Sequence, residues 1–281
     1  MNKKLILLDI DGTLTPAGSN IPPASAMRAI RAAQAAGHVV VLCTGRNLDM
    51  LSPVLALGFD GAVASAGGLI VLHDQILYDC PMSDEQRDIA MKLLKEQGVF
   101  RTIEAKDATY GDEDLGDFLA NAGEGNSELI RWRKALAEDL NIQPMSRYDG
   151  RPIYKVVFMC TRAEQLQPAR DALEKDFNFV VQDVAAHNCL NGELINRQFD
   201  KGTGVKCMAD ALGISIEDTI GFGDSMNDKE MIETVGYSVV MDNGSPILKA
   251  MADMVAPAVE EDGLEKAFIE LGLVEYDKIL S

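Results

Sequence analysis

The chain is 281 residues long, 47% apolar, and carries 26 Lys and Arg against 44 Asp and Glu, a formal net charge of −18. At about 150 residues per domain this length predicts two domains, each with enough apolar side chain for its own core, which excludes a disordered chain. The acidic balance would repel a nucleic-acid backbone and an anionic bilayer alike, and it requires any phosphate site to bring its own cations.

The apolar run Leu5-Ile6-Leu7-Leu8 stops at Asp9, too short for a secretory signal. Nowhere do about 18 uncharged apolar residues run together, so no membrane span is predicted. Residues 4–8 and 38–43 read as buried strands, and 22–36 and 48–57 as helices closed by Gly37 and Gly58. Continuous Val/Leu runs between helices with Pro near their starts and Gly at their ends mark βαβ units around a parallel sheet. From 202 onward the same pattern returns: helix 202–212, strand 219–222, helix 229–234, strand 238–241 and helices 246–251 and 263–271.

The middle differs. Ser83 and Gln86 form a capping box opening a helix to 97, strands follow at 99–104 and 153–160, and a second capping box at Thr161 and Glu164 opens a helix to about 175. A strand at 179–184 closes the segment, and the acidic, glycine-rich stretch 107–126 reads as loop or short helix. The predicted fold is α/β, a doubly wound Rossmann-like parallel sheet core from residues 1–82 and 191–281 with an inserted α+β domain at 83–190. Five cysteines at 43, 80, 160, 189 and 207, odd in number and without C-x-x-C spacing, predict a reducing, cytoplasmic setting.

Asp9-Ile-Asp11-Gly12-Thr13 sits where the first buried strand ends. Two carboxylates there need water, hydrogen bonds or a cation to compensate them, and Gly12 permits a sharp turn. Asp224 and Asp228 follow the strand 219–222, so a parallel sheet would bring four carboxylates to one edge, an oxygen-only set suited to Mg²⁺. Thr44, just past a strand, and Lys201, at a helix start, supply the hydroxyl, amides and cation that a phosphate would need. Each motif has a plainer reading when taken alone: an Asp-Gly turn, a helix cap at Thr44 or at Gly223-Asp224-Ser225, a solvated Lys201. His38, His73 and His187 have no ligand spacing, the methionines from Met226 onward read as core filler, and Arg131-Trp132-Arg133-Lys134 fits either a substrate contact or a solvated helix face.

Taken in order, Asp9-Ile-Asp11-Gly12-Thr13, Thr44-Gly45-Arg46, Lys201-Gly202 and Gly223-Asp224-Ser225-Met226-Asn227-Asp228 resemble the four motifs of the haloacid dehalogenase (HAD) superfamily of aspartate-nucleophile phosphatases, in particular its Cof-like branch. The resemblance implies a Mg²⁺-dependent phosphatase acting on a small phosphorylated metabolite, with Asp9 as nucleophile and Asp11 as general acid and base. It implies Mg²⁺ held by Asp9, the Asp11 carbonyl and Asp224, with Asp228 supporting, and phosphate held by Thr44, Gly45, Lys201 and Asn227. Arg46 fits either a phosphate contact or a structural pin. The insertion corresponds to the family's cap, expected to set substrate specificity. The stretch Asn196-Arg197-Gln198-Phe199-Asp200 departs from the Cof-like pattern, which bears on the substrate rather than the chemistry. Asp11-Gly-Thr-Leu-Thr15-Pro16 also resembles phosphomannomutases, so a phosphomutase is the alternative enzyme and a catalytically silent binding protein the alternative class.

Overall fold

The computed structural model describes residues 2–117, 142–182 and 189–274. In chain order, strands β1 (Leu5–Leu8), β2 (Val39–Cys43), β3 (Gly61–Ala64), β4 (Leu69–Leu72) and β5 (Gln75–Asp79) come with helices α1 (Ala24–Ala35) and α2 (Leu48–Leu55). Next are α3 (Asp84–Glu96), β6 (Phe100–Ala105), β7 (Thr109–Gly111), β8 (Ile142–Pro144), β9 (Ile153–Cys160), α4 (Gln167–Leu173), β10 (Phe177–Gln182) and β11 (Leu190–Asn196). The last part holds α5 (Lys201–Leu212), β12 (Thr219–Gly223), α6 (Lys229–Thr234), β13 (Tyr237–Met241), α7 (Pro246–Lys249), β14 (Met254–Ala256) and α8 (Gly263–Glu270).

These elements form two units. The first takes the chain up to Arg46, Leu51–Asp79, and everything from Phe199 on; the second takes Asn47–Met50 and Cys80–Gln198. In the first, eight strands run in the order β14-β13-β12-β1-β2-β3-β4-β5. Those from β14 to β3 are parallel, and β4 and β5 add an antiparallel hairpin. Chain order reverses between β1 and β12, the switch point at which doubly wound sheets bind ligands. Helices cover both faces, which is why the strands read as unbroken apolar runs. Leu5, Leu7, Val39, Val41 and Cys43 pack on Val205, Met208 and Ala209 of α5 and Met231 of α6. On the opposite face Phe222 meets Phe268 of α8 with ring centroids 5.3 Å apart.

The second unit is a six-stranded sheet in the order β10-β11-β9-β6-β7-β8, antiparallel except for β7 with β8. Ala90 and Leu94 of α3 and Ala169 and Leu173 of α4 share one core with Ile103, Val156, Phe158 and Leu194 of the sheet. Within β9 the buried Lys155 carries an ion triad, its Nζ 3.1 Å from the buried Glu104 and 3.2 Å from the partly exposed Glu193. Burial opposes its charge, but the two carboxylates outweigh this and raise its pKa above the ordinary lysine value.

The expected return at residue 191 comes too early, because β11 pairs with β9 and β10 in the second sheet, and the first unit resumes only at Phe199. The Ser83–Gln86 box is present in full. The second cap is made by Gln165, not Glu164: its Oε1 accepts from the Thr161 and Arg162 amides at 3.2 and 3.0 Å, and α4 begins only at Gln167 after a 3₁₀ turn. In the stretch 107–126, residues Thr109–Gly111 are strand. His187 and Arg131-Trp132-Arg133-Lys134 lie outside the described residues. Among the described residues, no helix is long and apolar enough to cross a membrane.

Candidate active site

Asp9 is the first residue past β1, and its amide donates to the Phe222 carbonyl of β12 at 3.0 Å. That parallel register, Leu8 beside Phe222, sets the two acidic loops side by side. Gly12 turns the first loop at φ +84°, and a Cβ there would stand 2.4 Å from Asp224 Oδ2, so both backbone and space demand glycine. Asp9, Asp224 and Asp228 present carboxylate oxygens that all lie within 4.8 Å of one another.

Lys201 enters this cluster from the first turn of α5. Asp200 caps the helix, accepting from Thr203 N at 2.6 Å, and Gly204 lets it approach β3, since a Cβ there would stand 2.4 Å from Val63. The ammonium is 2.7 Å from Asp9 Oδ1, 2.5 Å from Asp228 Oδ1 and 3.4 Å from Asn227 Oδ1, and the side chain is only 1% exposed. Burial works against that charge, but Asp228 and Asp9 outweigh it and lift the Lys201 pKa above the lysine range.

The carboxylates are pushed the other way. Burial, then the Asp228 charge, raises Asp9 to about 8 against the pull of Lys201; burial and Asp228 likewise raise Asp224 to about 7. Asp224 Oδ1 is buried without a hydrogen-bond partner, a state that a coordinated cation would relieve. Three converging carboxylates are the oxygen-rich donor set of a hard divalent ion, so the residues fit a metal of the Mg²⁺ type. Asp228 is already committed: Oδ1 holds Lys201 and Oδ2 accepts from the Asp224 and Ser225 amides at 3.0 and 3.1 Å.

Only three of the four expected carboxylates converge. The Asp11 carboxylate is drawn instead to Arg46, with Nη2–Oδ1 at 2.8 Å and Nε–Oδ2 at 3.0 Å, and it accepts from Gly18 N at 3.0 Å. The Arg46 guanidinium, expected as either a phosphate contact or a structural pin, also donates to Asn20 Oδ1 at 2.5 Å. Thr44, 2% exposed, sits past β2 with its amide donating to Val63 O and its Oγ1 accepting from Arg46 N at 3.2 Å. Beside it, nothing lies within 4 Å of where a Gly45 Cβ would stand. Asn227 Oδ1 accepts from Ser225 Oγ at 2.9 Å. Sequence reasoning does not single out Asn243, whose Nδ2 donates to the Gly12 carbonyl at 2.8 Å. Its one signal was an Asp-Asn-Gly turn closing the strand next to β12.

A carboxylate nucleophile candidate, a buried lysine and an acidic cluster at a Rossmann switch point define a phosphoryl-transfer class of site, and the comparisons agree. The profile of the haloacid dehalogenase-like hydrolases matches residues 6–268, and the chain belongs to that family. The putative phosphatase YkrA of Bacillus subtilis is 30% identical over 98% of this chain and 100% of its own, and phosphatase YwpJ of the same organism is 30% identical over 93% and 97%. A hypothetical protein of Geobacillus kaustophilus superimposes with a TM-score of 0.79 at 26% identity, covering 97% of this chain and 100% of its own. The HAD subclass IIB sugar phosphatase BT4131 shares the fold, with a TM-score of 0.72 at 21% identity and the same coverage. Within the family, the chain is a phosphatase of the Cof-like branch.

Proposed function

We propose that the protein hydrolyses a small phosphate monoester, a sugar phosphate or similar metabolite, in a Mg²⁺-dependent reaction through a phosphoryl group carried on Asp9. The observation that carries this reading is the contact of Asp9 with the buried Lys201 inside the three-carboxylate cluster. Lys201 favours the ionised, nucleophilic form of a carboxylate that burial alone would protonate. Asp9 attacks phosphorus, the bond to the leaving oxygen breaks, and Asp11 donates the proton that oxygen needs; Asp11 then takes a proton from the water that releases phosphate. Arg46 and Gly18 N hold the Asp11 carboxylate between these steps.

Thr44, Gly45, Asn227 and Lys201 bind the transferring oxygens, and Asp228 fixes Lys201 and the Asp224 loop. Asp9, the Asp11 carbonyl and Asp224 would hold Mg²⁺, which when bound lowers the repulsion between carboxylate and phosphate dianion. The second unit is assigned substrate selectivity on the family resemblance. A relative 27% identical, from Methanothermobacter thermautotrophicus, is named a phosphoglycolate phosphatase, which supports a small organic phosphate as substrate. An odd number of cysteines without C-x-x-C spacing supports a cytoplasmic setting. A panel of sugar, nucleotide and cofactor phosphates with Mg²⁺ or with chelator tests the reading: phosphate release from some small monoester, abolished by chelation, is expected. Release that chelation leaves unchanged, or none from any member, overturns it.

Asp11→Asn should slow hydrolysis of alkyl phosphates far more than that of p-nitrophenyl phosphate, whose leaving group needs little protonation. Equal losses on both would remove Asp11 from the acid role. The raised carboxylates also fix a pH effect. Their folded pKa values lie above the unfolded 3.8, so metal-free stability falls as pH rises through the range up to about 8, while a cation favours the ionised forms. The gain in melting temperature on adding Mg²⁺ should therefore be larger at about pH 8 than at about pH 6. A gain independent of pH would place the ion elsewhere.

A further inference from the structure

We propose that Asn243 is a positioning residue that sets the spacing between the two acidic loops of the site. Strand β13 lies beside β12 and ends at Met241, so the turn Asp242-Asn243-Gly244-Ser245 passes over the same sheet edge as Asp224. Asn243 Nδ2 donates to the Gly12 carbonyl at 2.8 Å, and its Oδ1 accepts from Val259 N at 3.2 Å. The amide has one orientation available, because a carbonyl can only accept and a backbone N–H can only donate. Swinging away from Gly12 would also break the bond to Val259, so the contact is held from both ends.

The same turn grips the other loop. Ser245 N donates to the Asp224 carbonyl at 2.7 Å, and Gly244 lies so close that a Cβ on it would stand 2.5 Å from that oxygen. One turn thus fixes Gly12, three residues past Asp9, and Asp224 itself, and the Asp224 carboxylate fills the space that a Cβ on Gly12 would take, 2.4 Å from its Oδ2. The separation of the Asp9 and Asp224 carboxylates is set by this clamp, and cation affinity depends steeply on that separation. Groups that orient ligands from behind contribute about 10–100-fold in metal affinity.

This inference rests on the proposed reading of Asp9 and Asp224 as metal ligands, and the test separates the two. Asn243→Asp keeps volume and the acceptor for Val259 N, but sets an oxygen against the Gly12 carbonyl. Its added negative charge would by itself tighten cation binding, so weaker binding reads lost positioning. Mg²⁺ alone is titrated against the full-length protein, followed by melting temperature, with circular dichroism verifying the fold. The half-saturating concentration should rise about tenfold in Asn243→Asp, and in the uncharged Asn243→Ala should the first variant fail to fold. Asp224→Ala, run alongside, should lose the response. An Asp224→Ala that keeps the wild-type response overturns the ligand reading and the clamp with it. A lost response in Asp224→Ala, with binding by the Asn243 variant unchanged or tighter, overturns the clamp alone.

Discussion

Asp9→Asn should lower turnover of every substrate by at least about 10⁴-fold while the protein still folds. The amide keeps the volume of the carboxylate and cannot form the acyl phosphate, so the two-step route closes. The fold has no reason to fail: Asp9 is a buried carboxylate whose ionisation burial and Asp228 already oppose, and Lys201 keeps its 2.5 Å contact with Asp228 when Asp9 is neutralised. Thermal unfolding of the variant should match or exceed that of the wild type at neutral pH. Steady-state assays with p-nitrophenyl phosphate check the first part; retained Mg²⁺-dependent turnover would remove Asp9 from the nucleophile's role.

Lys201→Met should be costly in both respects. The substitution keeps an unbranched stem but deletes the ammonium, leaving Asp9 and Asp228 buried together with no cation between them. Breaking a buried pair from one side typically costs about 3–5 kcal/mol, because the remaining charge is uncompensated. If Lys201 binds the transferring oxygens as proposed, its loss adds a fall in turnover of about 10²–10³-fold. The stability loss should shrink on acidification, since protonating the stranded carboxylates removes the repulsion that the mutation exposes. Urea unfolding at neutral and mildly acidic pH checks this; a loss that does not change with pH would mean that Lys201 acts through packing alone.

The parts of the fold legible in the sequence are those where one residue type meets one physical demand. Leu5–Leu8 and Val39–Cys43 are buried on both faces by helices, so their apolar runs announce parallel strands. Strand β3 was silent, because Gly61-Ala62-Val63-Ala64 has little β signal of its own and is made a strand by its neighbours β2 and β4. The hairpin of β4 and β5 turns at His73, at φ +50°, without the Gly or Asn that marks such turns. Gly192 lies within β11, where a Cβ would strike Phe158 and the Val180 carbonyl, so strand pairing rather than turn chemistry accounts for that glycine.

At the site, the acidic motifs and Lys201 could be read because their spacing survives translation into a parallel sheet. The direction of a side chain could not. That Asp11 turns to Arg46, while Asp228 turns inward to Lys201 and two amides, depends on hydrogen bonds donated by Gly18 and Ser225 and one accepted by Asn20 from Arg46, which no spacing encodes. Asn243 was missed for the same reason: its function is a contact with Gly12, 231 positions away.

The central claim is that the phosphoryl group rests on Asp9 during turnover. Acid-quenched reactions of wild type and Asp9→Asn with p-nitrophenyl phosphate, digested and mapped by mass spectrometry, test it most directly. A phosphoryl adduct on the wild-type peptide containing Asp9, absent from the variant, is the expected result. An adduct on any other residue, or an undiminished one in Asp9→Asn, would contradict it.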